Sequence, residues 1–290
     1  MKNNQKNYKI MKFKNNFISL IFFSVLFCQA EYQILSIPKN VFQLSSNGGF
    51  YNYINQNEVD LSDKEYSFNL IHYPSDIMLY NFSKDQYSIS FLDYGLFNNQ
   101  IQDIIYSSFS AYEIMANYYY NKKIRNTNIN CSFGLFHSSI DNYSSFGLSN
   151  SIGISSQYND NIILNMSVEN FGYILKSYTA YNQKLPLKYR ISITAPIKKL
   201  ILGYDIVYLK FNRQLQHSLC LQFMPSDILT IRLSTTDNYK DLWLDDNIYS
   251  FISGLGLGLD IKLESTSISL GILNLGIAGN VYGTSINFFY

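Results

Sequence analysis

The chain has 290 residues and a formal net charge of +1, with 47% hydrophobic, 17% aromatic and only 15% charged residues. This composition excludes a disordered chain, which needs low hydrophobicity and high charge. A mean hydropathy of −0.06 also excludes a bundle of membrane helices. A transmembrane β-barrel fits both observations, because apolar and polar residues alternate along its strands and cancel in the average.

A targeting signal is predicted at the N-terminus. Five lysines precede an apolar run from Phe17 to Phe27, and Ala30 follows. This order is typical of a secretory signal peptide, so cleavage after Ala30 and export are expected. Residues 1–30 hold five of the 22 basic residues and no acidic one. The rest of the chain therefore has no basic face of the kind that binds nucleic acid.

The next segment, residues 31–66, precedes the predicted strands and is polar, with Pro38 and a Gly48-Gly49 pair. Two interpretations remain open, an N-terminal plug inside a barrel and a periplasmic tail. A short helix near Val41–Ser46 is compatible with either.

Alternation with a period of two dominates the sequence from residue 67 to the end, which indicates β-strands. In residues 255–264, leucine or isoleucine alternates with glycine or a charged residue, so one face is aliphatic and the other is not. Fourteen strands are predicted, at roughly 67–73, 77–82, 87–94, 112–120, 127–138, 147–157, 162–169, 187–195, 200–211, 216–224, 228–235, 251–263, 266–273 and 280–290.

The lengths of the connections separate a barrel from a soluble sandwich, which would show a similar alternation. From the third strand on, long connections alternate with short ones. Long extracellular loops and short periplasmic turns are typical of outer-membrane barrels. The sequence therefore predicts an all-β fold, an antiparallel transmembrane barrel over residues 67–290. The predicted long loops are 95–111, 139–146, 170–186 and 236–250, and the short turns are 121–126, 158–161, 196–199 and 225–227.

The inner face of this barrel is predicted to carry mixed charge, which suits a wet channel or a salt-bridged interior better than an apolar ligand tunnel. The residues predicted to face the lumen are Lys188, Arg190, Arg232, Asp260, Lys262 and Glu264.

The last strand ends on an aromatic residue and has an aromatic-rich face. This pattern resembles the terminal signal by which the barrel-insertion machinery recognises bacterial outer-membrane proteins. The residues that carry the pattern are Tyr282, Ile286, Phe288 and Tyr290.

The sequence has little chemistry typical of an enzyme. None of its three histidines, His72, His137 and His217, stands at a metal-ligand spacing from another histidine or a cysteine. Cys131 and Cys220 are predicted on opposite faces of their strands, so a disulfide between them is not expected. No catalytic residue, cofactor or metal site is predicted.

The aromatic residues of the predicted loops are candidates for binding a partner protein. They are Trp243, Tyr239, Tyr178 and Tyr181. The acidic loop 236–250 also holds four aspartates, which suit either a solvated surface or, less well, a calcium ion.

Several short motifs of residues 32–211 resemble the PorV/PorQ family of outer-membrane barrels, which is related to the FadL fatty-acid transporters. The motifs are Tyr32–Pro38, Gly48-Gly49, Tyr143–Leu148, Asn170–Tyr178 and Leu185-Pro186, and the last two look most like PorQ. The resemblance implies a fourteen-stranded barrel and an association with type IX secretion, which exports proteins with C-terminal sorting domains and attaches them to the cell surface.

Two functions follow from this resemblance. The first is a non-enzymatic barrel in the outer membrane of a Gram-negative bacterium, surrounded by outer-membrane lipid, whose loops bind type IX components or cargo. The alternative is a FadL-like transporter of hydrophobic small molecules, which predicts an apolar pocket in the lumen and a kinked strand.

Overall fold

The computed structural model describes residues 32–47, 65–101, 104–158, 162–179, 183–237 and 252–290. Residues 32–290 form one compact unit. The predicted signal peptide, the Gly48-Gly49 pair and the loop aromatics Tyr181, Tyr239 and Trp243 lie outside the described residues, so those predictions stay predictions.

Fourteen antiparallel strands form a closed barrel, in which β1 pairs with β14 and every other strand pairs with its neighbours in sequence. The predicted fold class and strand number are confirmed. The strands are β1 Glu65–Tyr73, β2 Ile77–Lys84, β3 Tyr87–Ile101, β4 Ile104–Ile124, β5 Thr127–Ile140, β6 Tyr143–Tyr158, β7 Ile162–Lys176, β8 Lys188–Ile197, β9 Leu200–Leu209, β10 Gln214–Phe223, β11 Leu229–Thr236, β12 Gly256–Lys262, β13 Thr266–Asn274 and β14 Asn280–Phe289.

The alternation in the sequence separates an apolar outer face from a polar inner face. In β7, Leu164 and Met166 are exposed, whereas Asn165 and Ser167, which alternate with them, are buried. An apolar surface that runs round a whole barrel is far larger than a soluble monomer exposes. No helix among the described residues is long and apolar enough to cross a bilayer.

The barrel has two different ends. The lower end, where β1 starts and β14 finishes, has short connections such as residues 85–86, 125–126 and 198–199. The upper end carries the opposite set of connections, including residues 177–187 and 237–255.

Two of the predicted long loops at the upper end are mostly strand. Residues 95–101 continue β3, residues 104–111 belong to β4, and residues 139–146 reduce to a turn at residues 141–142. Residues 170–176 of the third predicted loop also belong to β7. The loop prediction was wrong for β3 and β7 because bulges interrupt the period of two there, whereas β5 and β6 pair regularly up to their turn.

Each bulge shifts the alternation by one residue. One lies in β3 between Asp93 and Leu96, where Gly95 has a φ of +76°. Another lies in β7, where Glu169 and Asn170 are both buried and the pairing with β6 shifts. A bulge places two residues opposite one, so the residues beyond it no longer follow the earlier pattern.

Candidate functional site

Residues Tyr32–Asn47, here called the plug, lie inside the barrel against the upper half of its inner face. The plug starts with a 3-10 turn at Gln33–Leu35 and continues into helix α1, Val41–Ser46. This helix coincides with the short helix predicted from the sequence, and its location inside the barrel agrees with the first of the two alternatives for this segment.

Local side-chain contacts define the start and end of α1. The Asn40 Oδ1 atom accepts a hydrogen bond from the Gln43 backbone N–H at 2.7 Å, and Gln43 Oε1 accepts from the Lys39 N–H at 2.8 Å. Reciprocal bonds of this kind satisfy donors that have no partner in the first turn of a helix. Asn47 ends the helix in the left-handed conformation, with φ of +51°.

The plug packs against one row of inward-facing residues on the barrel wall. Each residue pairs directly with the next across neighbouring strands, from β11 round through β1 to β6. The row, here called the seat row, is Arg232, Gly258, Gly271, Gly283, Ile71, Leu79, Leu92, Glu113, Ser138 and Ser145.

The three glycines of the seat row lie directly under α1. A Cβ atom at Gly258 would lie 2.5 Å from Ser45 Oγ, and one at Gly271 would lie 2.9 Å from Val41 Cγ1. A Cβ atom at Gly283 would lie 2.9 Å from Leu44 Cδ2. These glycines therefore allow the helix to approach the wall more closely than any other residue would.

An ion pair fixes the helix at one end of the seat row. The buried Arg232 guanidinium donates two hydrogen bonds to the Asp260 carboxylate, and its Nε atom donates to Ser45 Oγ at 2.9 Å. The Phe42 ring also lies over this guanidinium, 4.2 Å from Cζ. The predicted lumen positions of Arg232 and Asp260 thus lie in one cluster that contacts the plug.

A buried carboxylate holds the 3-10 turn on the opposite side of the lumen. Glu113 Oε2 accepts from the Ile34 backbone N–H at 2.8 Å, and its Oε1 accepts from Ser138 Oγ at 3.1 Å. The Asn170 side chain donates to the Leu35 carbonyl at 3.0 Å. Polar wall residues therefore bind the plug at both ends.

Tyr178, predicted as a partner-binding loop residue, faces the interior. Its hydroxyl donates to Ser138 Oγ, and its ring stacks on that of Tyr32 with centroids 6.2 Å apart. Burial raises the pKa of Tyr178 to about 12, so the phenol is neutral at physiological pH. Its role in binding a partner stays a prediction.

A second charged cluster surrounds Arg190. Its Nε atom lies 2.8 Å from Glu169 Oε1, and one terminal nitrogen lies 2.5 Å from Asp205 Oδ2. All three side chains are buried or nearly so, and Lys188 on the same strand donates to the Ser36 carbonyl at 3.3 Å. Lys188 and Arg190 therefore lie inside the barrel, near the middle of the plug.

The remaining two predicted lumen residues lie at the lower end. Lys262 is the last residue of β12, and its Nζ atom lies 6.0 Å from the centre of the Phe289 ring. Glu264 is exposed in the turn between β12 and β13. The lumen-facing prediction for Glu264 was wrong because the strand ends two residues earlier, and alternation does not extend into a turn.

Glu113, Glu169 and Asp205 are buried acids that the sequence analysis did not select. Each occupies an inward position of its strand, so the period-two pattern contains the signal. No group of three metal-binding side chains occurs among the described residues, and Cys131 and Cys220 are free thiols.

The predicted insertion signal lies on the outer face of β14 and directly after it. Tyr282, Ile286, Phe288 and Tyr290 are all exposed, and Tyr290 stacks on Tyr66 of β1 with centroids 4.9 Å apart. The geometry places these side chains where a recognising protein has access to them.

Replacing Phe288 and Tyr290 together by serine is expected to reduce the amount of barrel in the outer membrane severalfold, because the aromatic signal is removed from the outer face. Quantitative immunoblotting of membrane fractions measures the change. Tyr158→Ser, at an equally exposed tyrosine of the lower end, is the control. Equal amounts of both variants would contradict the assigned signal.

No family model and no curated protein matches the chain. Among solved structures, the outer membrane protein Omp33 of Acinetobacter baumannii is 11% identical, with a TM-score of 0.41, and the match covers 79% of this chain and 98% of that one. A variant of the porin of Rh. blastica is 10% identical, with a TM-score of 0.39, and the match covers 79% of this chain and 99% of that one. The KdgM porin is 10% identical, with a TM-score of 0.35, and the match covers 78% of this chain and 99% of that one. These likenesses are too distant to indicate a function, and the fold class rests on the strand pairing itself.

Proposed function

We propose that this chain is a non-enzymatic outer-membrane barrel that docks partner proteins at its upper end, as a PorV/PorQ-like component of type IX secretion. The plug is the observation that carries the proposal. It crosses the lumen and leaves cavities of about 410, 160 and 370 Å³, which are too small for a polypeptide cargo. Contacts with cargo or machinery therefore take place on the surface.

The shape of the upper end supports a docking role. Pairing of β3 with β2 stops at Asp93, whereas β3 continues to Ile101 beside β4 alone. On the other side, β7 pairs with β8 only up to Glu169 and continues to Lys176 beside β6. Strands β3–β7 therefore rise above their neighbours as a wall, here called the upper wall.

The length of the upper wall exceeds what a membrane requires. A tilted strand crosses a bilayer with about 9–11 residues, whereas β3–β7 have between 14 and 21. The wall exposes large apolar side chains, among them Leu96, Tyr173 and Leu175, which are 75%, 77% and 60% exposed. Apolar surface that extends beyond the bilayer is typical of a protein-binding site.

The position of the family-like motifs adds a second argument. Tyr143–Leu148 opens β6, and Asn170–Tyr178 closes β7 and enters the following loop. Both motifs therefore lie on the upper wall, where the exposed apolar side chains are.

The FadL-like alternative has less support. It needs an apolar pocket, but the cavities of the lumen are lined mainly by serine, asparagine and charged residues. The apolar inward side chains, such as Phe136, Leu79 and Leu92, form a buried cluster with the plug. The bulges in β3 and β7 are the one feature that agrees with a kinked strand.

The test is a clean deletion in the host, followed by quantitative proteomics of the cell surface and the medium. We expect proteins with C-terminal sorting domains to be lost from the surface or released unattached. The chain with Tyr173→Ser and Leu175→Ser should fail to restore them, while Tyr158→Ser at the lower end should restore them. Unchanged sorting together with reduced uptake of a fatty acid would replace the proposal with the transporter.

A further inference from the structure

Three cavities follow one another through the lumen beside the plug. The upper one, about 410 Å³, reaches Thr236 at the end of β11 and Leu275 just beyond β13, so it extends to the upper end. It shares Lys39, Tyr119 and four further lining residues with the middle cavity of about 160 Å³.

The path continues to the lower end. The middle cavity shares Asn40, Glu65, Asn81 and Ser83 with a lower cavity of about 370 Å³. The lower cavity in turn reaches Phe289, the last residue of β14. Neighbouring cavities therefore adjoin the same side chains, and the linings of the three together reach from the upper end to the lower end of the barrel.

The middle and lower parts of this path have a mostly polar lining, whereas the upper part is lined by polar and apolar side chains in similar measure. Hydroxyl and amide side chains line its middle and lower parts, and a space of about 30 Å³ corresponds to one water molecule in the liquid. Even the middle cavity therefore has room for several waters. The hydroxyl and amide side chains are Asn40, Gln43, Ser67, Asn69, Asn81, Ser83, Gln86, Ser88, Asn121, Asn130, Ser132, Ser151, Ser167, Thr230, Ser267, Ser269, Ser285 and Asn287.

Lys39 supplies a positive charge at the level of the plug. Its Nζ atom lies 3.0 Å from Met115 Sδ, and among the described residues no carboxylate lies within 4.0 Å of it. Lys188 lines the same cavity and repels it. Burial, with a smaller contribution from Lys188, lowers the pKa of Lys39 to about 8, which leaves it mostly charged at pH 7.

The two arginines are compensated by acids, the acids of the lower opening lie near solvent, and Glu113 on the wall is hydrogen-bonded by the Ile34 N–H and the Ser138 hydroxyl. Arg190 is bound by Glu169 and Asp205, and Arg232 is bound by Asp260. The acids of the lower opening include Asp85 and Asp227, which are exposed, and the half-buried Glu65. Exposed charges are screened by salt within about 10 Å at 0.1 M ionic strength, so they influence an ion in the path less than the enclosed Lys39 does.

We propose that this path conducts small inorganic anions past the plug, with Lys39 as the cation that selects them. The path is far too narrow for a protein, and this second activity is independent of the proposed role in secretion.

The test is single-channel recording of the purified full chain in a planar bilayer under a gradient of potassium chloride. We expect a small conductance, and we expect the reversal potential to have the sign of a channel that prefers chloride over potassium. Lys39→Glu should shift that potential towards potassium, and Lys39→Gln should shift it in the same direction by less. Lys210→Glu, at an exposed lysine of an upper turn, should leave it unchanged.

The pH gives an independent readout in the unmodified chain. Raising the pH from 7 to 9 crosses the pKa of Lys39, removes its charge and should reduce chloride selectivity, with a smaller effect in Lys39→Gln. The charged and titratable groups that line the same two cavities as Lys39 are Glu169, Lys188, Arg190, Glu65, Asp85, Tyr73 and Tyr119.

The absence of any conductance in the unmodified chain, or selectivity for potassium, would overturn the proposal. Equal reversal potentials in Lys39→Glu, Lys39→Gln and Lys210→Glu would also overturn it. The heat-modifiable mobility of each variant on a gel first shows that all three are folded. Because no partner is present in the bilayer, a negative result here leaves the secretion proposal untouched, and the deletion experiment tests that proposal separately.

Discussion

Replacing Gly258 by alanine is expected to loosen the plug. The added Cβ atom would lie 2.5 Å from Ser45 Oγ and 2.7 Å from Ser45 Cβ, so α1 must move away from the wall. Overpacking of this kind costs about 1–3 kcal/mol, which corresponds to an increase of roughly 5- to 150-fold in local opening. Hydrogen exchange of the amides of α1, read by mass spectrometry, measures that opening.

Gly153→Ala is the matched control, because Gly153 is also an inward glycine but its Cβ atom would lie 3.4 Å from the nearest atom, Ser167 Cβ. That variant should exchange like the unmodified chain. If the amides of α1 exchange at the same rate in Gly258→Ala and Gly153→Ala, the glycines of the seat row do not hold the plug in place.

Replacing Asp260 by asparagine is expected to have the largest effect on stability. The change leaves the Arg232 guanidinium buried without its carboxylate, and only 2% of the Arg232 side chain is exposed. Removing one partner of a buried ion pair costs about 3–5 kcal/mol. Urea-induced unfolding, followed by circular dichroism in detergent, gives the change in the free energy of unfolding.

Two further variants separate this pair from a general effect of lost charge. Asp227→Asn, at an exposed turn, should leave the free energy of unfolding almost unchanged. Arg232→Met in the Asp260→Asn background should restore part of the stability, because it removes the unpaired charge. If Asp260→Asn and Asp227→Asn unfold alike, Asp260 does not stabilise the plugged barrel.

The strands and their two faces follow from short-range information. In β7 and β12 the sequence alternates, and the same residues are outward and inward in the barrel. The alternation was misleading where a residue departs from regular pairing, as at Gly95 in β3 and Asn170 in β7, and where a strand ends, as before Glu264. A bulge depends on the pairing with the neighbouring strand, so the pattern of one strand does not contain it.

The alternation also indicated which charges face inward, but it did not indicate their partners. Arg232 and Asp260 lie on neighbouring strands 28 residues apart, and Arg190 meets Asp205 and Glu169 from two different neighbours. Such contacts depend on the register between strands. The sequence also gave no sign that Glu113, 79 residues from Ile34, accepts a hydrogen bond from its backbone.

By itself the sequence determined the class of fold, the number of strands and the apolar outer face. All of these depend on local periodicity, whereas for residues 41–46 the sequence only allowed a short helix. Only the tertiary structure decided that this helix is a plug. Its seat includes Gly258, Gly271 and Gly283, which the register of β12, β13 and β14 aligns, and the pairing of β1 with β14 continues the row round to Glu113.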